Sequence, residues 1–299
     1  MVYDVTIFGI NIPIKPVAFT LPILGGWNVY WYGIIIALGF LAALVYAYFN
    51  AKRFSINLDR LLDVVLVAAP VAVFSARLYY IIFSDDMKIT DFFNFSSGGF
   101  AGLAIYGAVI GALLSGALMC YIRKVNILDA FDIASIGFLL GQGIGRWGNF
   151  VNQEAFGAAT GSSWFGMTSE AVAAELGTGV LAHPCFLYES VWCLAGALVL
   201  HIISKKRVFS GQIILSYCVW YGFGRGFIEL LRTDSLYLFG VIRVSSLLSF
   251  VICIGAAVTL FLMFRKKRID DDNNREYVSM FAENEKQEEI NDDIVKTEE

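Results

Sequence analysis

The sequence predicts an all-α polytopic membrane protein with about seven transmembrane helices. Hydrophobic residues make up 58% of the 299 positions and charged residues only 16%, whereas soluble domains hold roughly 45–50% and about 25%. The apolar residues are gathered into seven long windows, and the lysines and arginines favour alternate loops between them. These three observations exclude an ordinary soluble domain.

Each window is close to the length that a membrane helix needs. A helix crosses the bilayer core with about 20 mainly apolar residues, because each residue adds about 1.5 Å. Isolated strands are excluded, since backbone groups need partners in lipid. The fourth window is short and glycine-rich, and it runs into a polar segment. The windows are residues 30–49, 62–83, 103–122, 130–144, 186–203, 211–231 and 244–264.

The distribution of basic residues predicts the orientation. Loops on the cytoplasmic side carry an excess of lysine and arginine. The loops after the first, third and fifth windows and the flank after the seventh are basic, whereas the alternate segments hold fewer such residues. We therefore expect the N-terminus outside and the C-terminus in the cytoplasm. The basic residues are Lys52, Arg53, Arg60, Arg123, Lys124, Lys205, Lys206, Arg207, Arg265, Lys266, Lys267 and Arg268.

Two regions are predicted along the chain. Residues 1–264 form a transmembrane catalytic domain, and residues 265–299 form an acidic cytoplasmic tail without an apolar stripe, which is typical of disorder. The loop of about 40 residues before the fifth window is long for a connector and favours a functional segment. The five cysteines show no metal-type spacing, so we expect them to be apolar packing residues.

Two polar stretches interrupt the apolar pattern. Residues 145–157, GRWGNFVNQEAFG, supply a guanidinium, two carboxamides and a carboxylate at the end of the fourth window. In the sixth window Tyr221, Arg225 and Glu229 are four residues apart and share a helix face. Charged residues in a membrane usually mark function, yet Arg225 and Glu229 are equally compatible with a plain ion pair, and Arg146 with a side chain that reaches outer headgroups.

The predicted topology brings these residues to one face of the membrane. Arg146 and Arg225 lie towards the outer ends of their helices, where Tyr32, Tyr106 and His183 also begin or precede spans. Tyr32 fits an interfacial aromatic belt as well, and His183 is either a base or a helix-start residue. Two guanidinium groups at headgroup level suit a phosphate, which indicates an outer-leaflet phospholipid site.

At these residues the chain resembles the bacterial prolipoprotein diacylglyceryl transferase family. The stretch at 145–157 is similar to that family's signature. Further similarities follow in the family's order and cover residues 27–264: WYGIIIALGF at 31–40, GGFAGLAIYGAVIG at 98–111, HPCFLYES at 183–190, YGFGRGFIELLR at 221–232 and RVSSLLS at 243–249. Two positions depart from the family pattern: Tyr106 stands where many members have histidine, and Ser246 where glutamine is usual.

The resemblance implies a transferase of the bacterial plasma membrane. It would move the sn-1,2-diacylglyceryl group of phosphatidylglycerol to the lipobox cysteine of a prolipoprotein signal peptide, forming a thioether and releasing glycerol phosphate. Arg146, Arg225 and Tyr106 are the expected catalytic residues. Membrane lipids are expected as surroundings, and no nucleic acid, metal or dissociable cofactor is expected. The implied substrate-binding residues are Arg146, Asn149, Glu154, Gly157, Tyr32, Tyr221, Glu229 and His183.

The general base stays open at this point: Tyr106, Glu154 and His183 are candidates, and the alternative is that Arg225 lowers the pKa of the substrate thiol electrostatically. Three other functions fit parts of the pattern. A transporter for a lipid or anion would show repeats or broken helices in matching halves, and none is visible. A lipid-binding relative without catalysis is motivated by the altered positions 106 and 246. A membrane transferase of another kind would commonly need an aspartate-rich metal site, which the sequence lacks.

Overall fold

A helical bundle with a small β-containing cap makes up the protein. The computed structural model describes residues 3–22, 26–83, 92, 102–233, 237–238 and 242–268. The helices are α1 Trp31–Asn50, α2 Leu58–Phe83, α3 Ile105–Ile122, α4 Ile127–Asn152, α5 Glu170–Leu176, α6 Cys185–Ser204, α7 Gln212–Ile228 and α8 Val244–Arg268. The strands are β1 Tyr3–Ile7, β2 Ile10–Ile14, β3 Val17–Leu21, β4 Trp27–Tyr30, β5 Met167–Thr168, β6 Tyr237–Leu238 and β7 Ile242–Arg243.

The prediction of a polytopic helical membrane protein is confirmed. Within the described residues, six helices are long and apolar enough to cross a bilayer: α1, α2, α3, α4, α6 and α8. Helix α7 has 17 residues and continues into a 3-10 turn, Glu229–Leu231. The count of seven spans and the orientation stay predictions. The predicted disordered tail lies outside the described residues beyond position 268, as does the start of the 98–111 motif.

The predicted end of the fourth span at residue 144 was wrong. Helix α4 begins after Asn126, whose side chain accepts hydrogen bonds from two backbone amides of the first turn, and it continues to Asn152. The glycines in its second half lower helix propensity, which made the sequence look like a loop. The helix persists because these glycines are packing positions, and Arg146 and Asn149 therefore lie on a helix.

Helix α4 is the centre of the bundle, and half of its apolar window is buried. It packs antiparallel to α1 along a line of small residues. A Cβ at Gly137 would lie 3.1 Å from Cβ of Ala43, and a Cβ at Gly39 would lie 3.0 Å from the carbonyl oxygen of Gly141. Small residues let two helix backbones approach closely in a membrane. Helix α6 packs on another side of α4, and α7 contacts both α4 and α6.

The bundle has two distinguishable ends. At the site end, α4 and α7 finish and α1, α3 and α6 begin. At the opposite end, Asp132 of α4 is fully buried and accepts hydrogen bonds of 2.9 Å from three backbone amides at the start of α7. Asp132 and Asp129 also bind Arg207, at 2.9 and 2.6 Å. Burial disfavours the charged guanidinium, but the two carboxylates prevail and raise the pKa of Arg207.

A cap of strands covers the site end, and it was not predicted from the sequence. Strand β1 pairs antiparallel with β2 and with β5, which lies in the segment between α4 and α6. Strand β4 pairs with β3 and runs directly into α1. The core of the cap includes Val5 and Met167, and it continues into the bundle through Phe150 of α4 and Phe186 of α6, whose ring centroids are 4.9 Å apart. The cap is thus fixed to the helix ends that carry the site.

Candidate active site

The first predicted arginine forms an ion pair between helices. Nε of Arg146 on α4 lies 2.6 Å from Oε2 of Glu189 in the first turns of α6. The two helices are held at this level by Ser190, whose hydroxyl donates to the carbonyl oxygen of Gly143 at 2.7 Å and accepts from Nε1 of Trp147 at 3.2 Å. A Cβ at Gly143 would lie 2.8 Å from Cγ of Leu194 and 3.3 Å from the carbonyl oxygen of Ser190, so glycine allows the two helices to approach without a shift. Close approach of α4 and α6 therefore sets the position of Arg146.

The same carboxylate binds the second predicted arginine. Arg225 of α7 forms an ion pair with Oε1 of Glu189 and, at 2.6 Å, with Glu229 one turn further along. The i,i+4 pair expected from the sequence is therefore present, but Arg225 is also linked to α6. Glu189 and Glu229 are 3% exposed. A buried carboxylate that bridges two guanidinium groups fixes both of them in place.

Two tryptophans lock α6 against α7 near this network. The indole of Trp192 donates to the carbonyl oxygen of Trp220, and the indole of Trp220 donates to that of Trp192, each at 3.0 Å. The rings stack with centroids 4.5 Å apart. Each ring lies over a glycine of the facing helix, Gly196 or Gly224, where a Cβ would overlap the indole. The pair therefore defines how α6 and α7 meet just below Glu189 and Arg225.

Two further arginines reach the network from the segment after α7. Arg232 lies 3.9 Å from a carboxylate oxygen of Glu189 and of Glu229. Arg243 donates to the backbone carbonyl oxygen of Glu229. Arg232 follows the 3-10 turn Glu229–Leu231, and Arg243 is the last residue of β7, directly before α8. The cluster therefore draws on α4, α6, the end of α7 and β7.

The balance of charge in the cluster favours an anion. Arg146, Arg225 and Arg232 face two carboxylates, and their side chains are 21%, 17% and 12% exposed against 4% for each glutamate. The carboxylates are thus enclosed, while the arginine side chains keep part of their surface accessible. Guanidinium groups donate paired hydrogen bonds to phosphate oxygens and keep their charge at any physiological pH. The arrangement can hold a phosphate with its charge matched by fixed donors.

The predicted binding residues of the signature stretch are linked to Arg146. Nη1 of Arg146 donates to Asn149 at 3.3 Å, and the amide of Asn149 donates to Glu154 at 2.7 Å. Tyr32 of α1 packs against Gly148, where a Cβ would lie 2.7 Å from Cδ2 of the tyrosine ring. Tyr32, Arg146, Asn149 and Glu154 therefore form one group at the junction of α1 and α4.

Gly157 and His183 are neighbours in the backbone beneath the cap. The amide of Gly157 donates to the carbonyl oxygen of His183 at 2.9 Å. A Cβ at Gly157 would lie 2.7 Å from the carbonyl oxygen of Leu231, so a larger side chain does not fit between these backbone segments. The ring of His183 lies 3.1 Å from the hydroxyl of Tyr188. His183 is thereby placed beside the segment that carries Arg232, with its side chain held by Tyr188.

A cavity of about 460 Å³ opens beside the arginine cluster. It follows the seam between α1 and α4, and residues of α2 and α3 complete its wall. Tyr32, Arg146 and Asn149 line it at the site end, and Ile133 and Leu61 line it at the opposite end. The cavity is therefore polar at one end and apolar along most of its length, as a site for a lipid requires.

The two predicted tyrosines Tyr106 and Tyr221 differ in their relation to the guanidinium network. Tyr106 is 57% exposed on α3, and its ring contacts Tyr79 of α2 with centroids 6.4 Å apart; its neighbour Ile105 lines the cavity, but Tyr106 does not. Tyr221 lies one turn below Arg225 and stacks on Tyr217 with centroids 5.5 Å apart. Tyr221 is also close enough to Glu189, Arg146 and Arg225 to interact with them electrostatically, so it borders the network.

Glu189, which organises the site, was not among the predicted site residues. Glu189 lies beside His183 in the 183–190 motif but was not assigned a role, because no spacing rule connects it to arginines on α4 and α7. Arg232 and Arg243 lie in the loop after the sixth window and were not predicted as site residues. Two arginines on the predicted outer side, against the usual charge asymmetry between loops, were a usable signal. Ser246, a departure from the family pattern, donates to the carbonyl oxygen of Gly226 at 2.9 Å and fastens α8 to α7.

Comparison with known proteins decides the family. The sequence model described as "Prolipoprotein diacylglyceryl transferase" matches residues 16–262. The chain belongs to the prolipoprotein diacylglyceryl transferase family. The match includes every predicted site residue as well as Glu189, Arg232 and Arg243, so the network described above lies within the matched part of the chain.

The alignments with individual relatives cover most of this chain and most of each relative. A phosphatidylglycerol–prolipoprotein diacylglyceryl transferase of Oceanobacillus iheyensis is 38% identical over 265 residues, 87% of this chain and 91% of the relative. Similar proteins of Clostridium perfringens and Pediococcus pentosaceus are each 42% identical, over 260 and 259 residues, which cover 85% of this chain and 97% and 91% of the relatives. Their names state a transfer between phosphatidylglycerol and a prolipoprotein.

Proposed function

We propose that the protein transfers the sn-1,2-diacylglyceryl group of phosphatidylglycerol to the lipobox cysteine of prolipoproteins. Membership of the transferase family over residues 16–262 and the names of relatives at 38–42% identity support this function. The observation that carries it is the cluster of Arg146, Arg225 and Arg232, of which Arg146 lines the polar end of an apolar cavity. A phospholipid has the matching distribution of charge and hydrocarbon.

The reaction is a nucleophilic substitution at the carbon of the diacylglyceryl group that is bonded to the phosphate oxygen. The cysteine thiolate attacks this carbon, a C–S bond forms, and the C–O bond breaks with its electron pair passing to the phosphate. The thiol proton goes to a base, for which Glu154, His183 and Tyr106 stay candidates. The departing glycerol phosphate gains negative charge in the transition state, so guanidinium groups held by Glu189 and Glu229 lower the barrier more than they stabilise the ground state.

The site end would face the outer leaflet in this reaction. Lys52, Arg53, Lys124 and Lys205 follow helices at the opposite end, and such residues favour the cytoplasmic side. Prolipoprotein signal peptides present their cysteine near the outer surface once their chain has been translocated, and phosphatidylglycerol of the outer leaflet would reach the cavity from the surrounding bilayer. The N-terminus is then external and the C-terminus cytoplasmic.

The direct test is a transfer assay with matched arginine variants. Purified protein is incubated in micelles containing phosphatidylglycerol with a lipobox peptide, and mass spectrometry measures the diacylglyceryl adduct on cysteine. Arg146→Ala and Arg225→Ala should each lower the rate about 10²–10³-fold, as removal of a transition-state donor does. Arg123→Ala is the control, because Arg123 pairs with Asp63 at the exposed opposite end.

The outcomes separate the candidate functions. An adduct formed by the wild type and the control but lost in both site variants supports the reaction and the phosphate role together. An adduct that survives both site substitutions keeps the transferase function and rejects the role of the arginines. Folded wild-type protein that retains phosphatidylglycerol but forms no adduct supports the alternative, a lipid-binding or transport protein without catalysis.

A further inference from the structure

The cavity changes in polarity along its length in a regular order. Tyr32, Arg146 and Asn149 line its first level at the site end. Gln142 lines the second level, four residues earlier on α4 and about 6 Å deeper. Beyond Gln142 the described lining residues are apolar as far as Ile133. This order of a charged level, one amide and a long apolar section repeats the order of phosphate, ester and hydrocarbon in a phospholipid.

The amide of Gln142 is held in a position that suits an ester carbonyl. Its Nε2 donates one hydrogen to the hydroxyl of Tyr217 at 3.0 Å, and its buried Oε1 has no hydrogen-bond partner among the described residues. A carboxamide carries two N–H donors, so a ligand in the cavity can accept the second hydrogen. Tyr217 is itself stacked on Tyr221, and this fixes the amide against rotation. In hydrocarbon surroundings a single fixed donor defines the depth at which a polar group can lie.

The apolar section, here called the slot, has the length of one acyl chain. It extends along α4 from Gln142 to Ala134 and Ile133, a span of eight to nine residues or about 13 Å. One leaflet contributes about 15 Å to a bilayer core of about 30 Å. Ile133 is 2% exposed and Leu61 of α2 is 7% exposed, and both belong to the main core of the bundle. The slot therefore ends at packed residues.

We propose that the slot binds one acyl chain of the donor lipid, with its ester at Gln142 and its methyl end at Ala134, and so sets the chain-length preference. This inference rests on the proposed function, because the donor is taken to be phosphatidylglycerol. It assigns Gln142 and Ala134 as specificity residues. Neither residue touches the arginine network in the described structure, so selectivity and phosphate binding are separable.

Competition between donors measures the depth of the slot directly. An equimolar mixture of dilauroyl-, dipalmitoyl- and distearoyl-phosphatidylglycerol is offered with a lipobox peptide, and the mass of each adduct identifies the donor that was used. Ala134→Phe shortens the slot, and forcing a long chain against it resembles overpacking of a core. We expect the ratio of stearoyl to lauroyl product to fall on the order of tenfold relative to the wild type.

A matched variant controls for the bulk of the new ring. Val45→Phe adds a phenyl group to α1 at a side chain that is 47% exposed and does not line the cavity. Its product ratio should equal that of the wild type. Because the readout is a ratio within one reaction, a variant that loses part of its folded protein still reports its preference. An unchanged ratio in Ala134→Phe, or an equal change in Val45→Phe, overturns the proposal.

The position of the ester has its own test. Wild-type protein should prefer ester-linked over ether-linked phosphatidylglycerol, since an ether has no carbonyl oxygen to accept from Gln142. Gln142→Leu should abolish this preference and leave the stearoyl-to-lauroyl ratio unchanged. Persistence of the ester preference in Gln142→Leu rejects the role of the amide.

Lipid retention distinguishes this inference from the transfer reaction. Native mass spectrometry of the detergent-solubilised protein records which phosphatidylglycerols of the same mixture stay bound. Absence of any adduct with the wild type refutes the transfer function. If Ala134→Phe nevertheless shifts retention towards the lauroyl lipid, the slot stands as a lipid site, and unshifted retention refutes the slot as well.

Discussion

Replacing Glu189 by glutamine tests whether one buried carboxylate holds the guanidinium cluster together. The substitution keeps the size of the side chain and removes its charge. Glu189 is 3% exposed and pairs with Arg146 at 2.6 Å and with Arg225. Removing one partner of a buried ion pair costs about 3–5 kcal/mol. We expect the lower end of this range, because the amide oxygen of the glutamine still accepts a hydrogen bond from one arginine and the arginine side chains are partly accessible.

A loss of about 3 kcal/mol would appear in two measurements. The midpoint of thermal unfolding in detergent should fall, and kcat/KM for adduct formation should fall about 100-fold if the displaced arginines no longer meet the phosphate in the transition state. Asp63→Asn is the matched control, since Asp63 and its partner Arg123 are 37% and 46% exposed. An exposed pair contributes only about 0–1 kcal/mol. Wild-type stability and activity in Glu189→Gln would refute this account of the site.

Three further predictions concern packing, capping and the tail. Gly224→Ala should destabilise the protein by about 1–3 kcal/mol, because its methyl group overlaps Trp192, whereas Gly255→Ala, with open space around it, should be neutral or stabilising in the same thermal assay. Asp132→Asn should lower the unfolding temperature, because it removes the charged acceptor of three backbone amides at the start of α7; unchanged unfolding would show that these bonds are replaced. Truncation after Arg268 should leave the transfer rate unchanged, and an inserted but inactive truncated protein would show that the acidic tail takes part in the reaction.

The sequence predicted those parts of the fold that depend on local composition. Apolar windows located each long helix to within a few residues, except at the end of α4. There the glycines suggested a loop, because helix propensity counts them as unfavourable. Their value lies in contact with α1, as between Gly141 and Gly39, and such contact appears only when two helices are placed side by side. The strands of the cap were missed because their partners lie far apart, as β1 and β5 do.

The site, like the fold, was predicted where its residues are close in sequence and missed where they meet across distant segments. Arg146, Asn149 and Glu154 are close in sequence and were grouped correctly. Glu189 meets Arg225 across 36 residues, and no local pattern reports such a pair. Tyr106 was assigned to the site from topology and resemblance, but a position at the same membrane level does not fix a direction within the plane, and the ring of Tyr106 faces α2. Its catalytic role stays a prediction.

The two reciprocal indole bonds fix the axial register of α6 and α7. Each bond joins an indole of one helix to a carbonyl oxygen of the other, so sliding either helix by one residue, about 1.5 Å, lengthens one or both bonds. In lipid no water replaces a lost bond. The same slide would displace Glu189 from Arg225, which lie about one turn away on the same two helices. One arrangement of α6 and α7 therefore satisfies both the indole bonds and the ion pair between Glu189 and Arg225. Once the two helices have packed in this register, Arg225 is already in place.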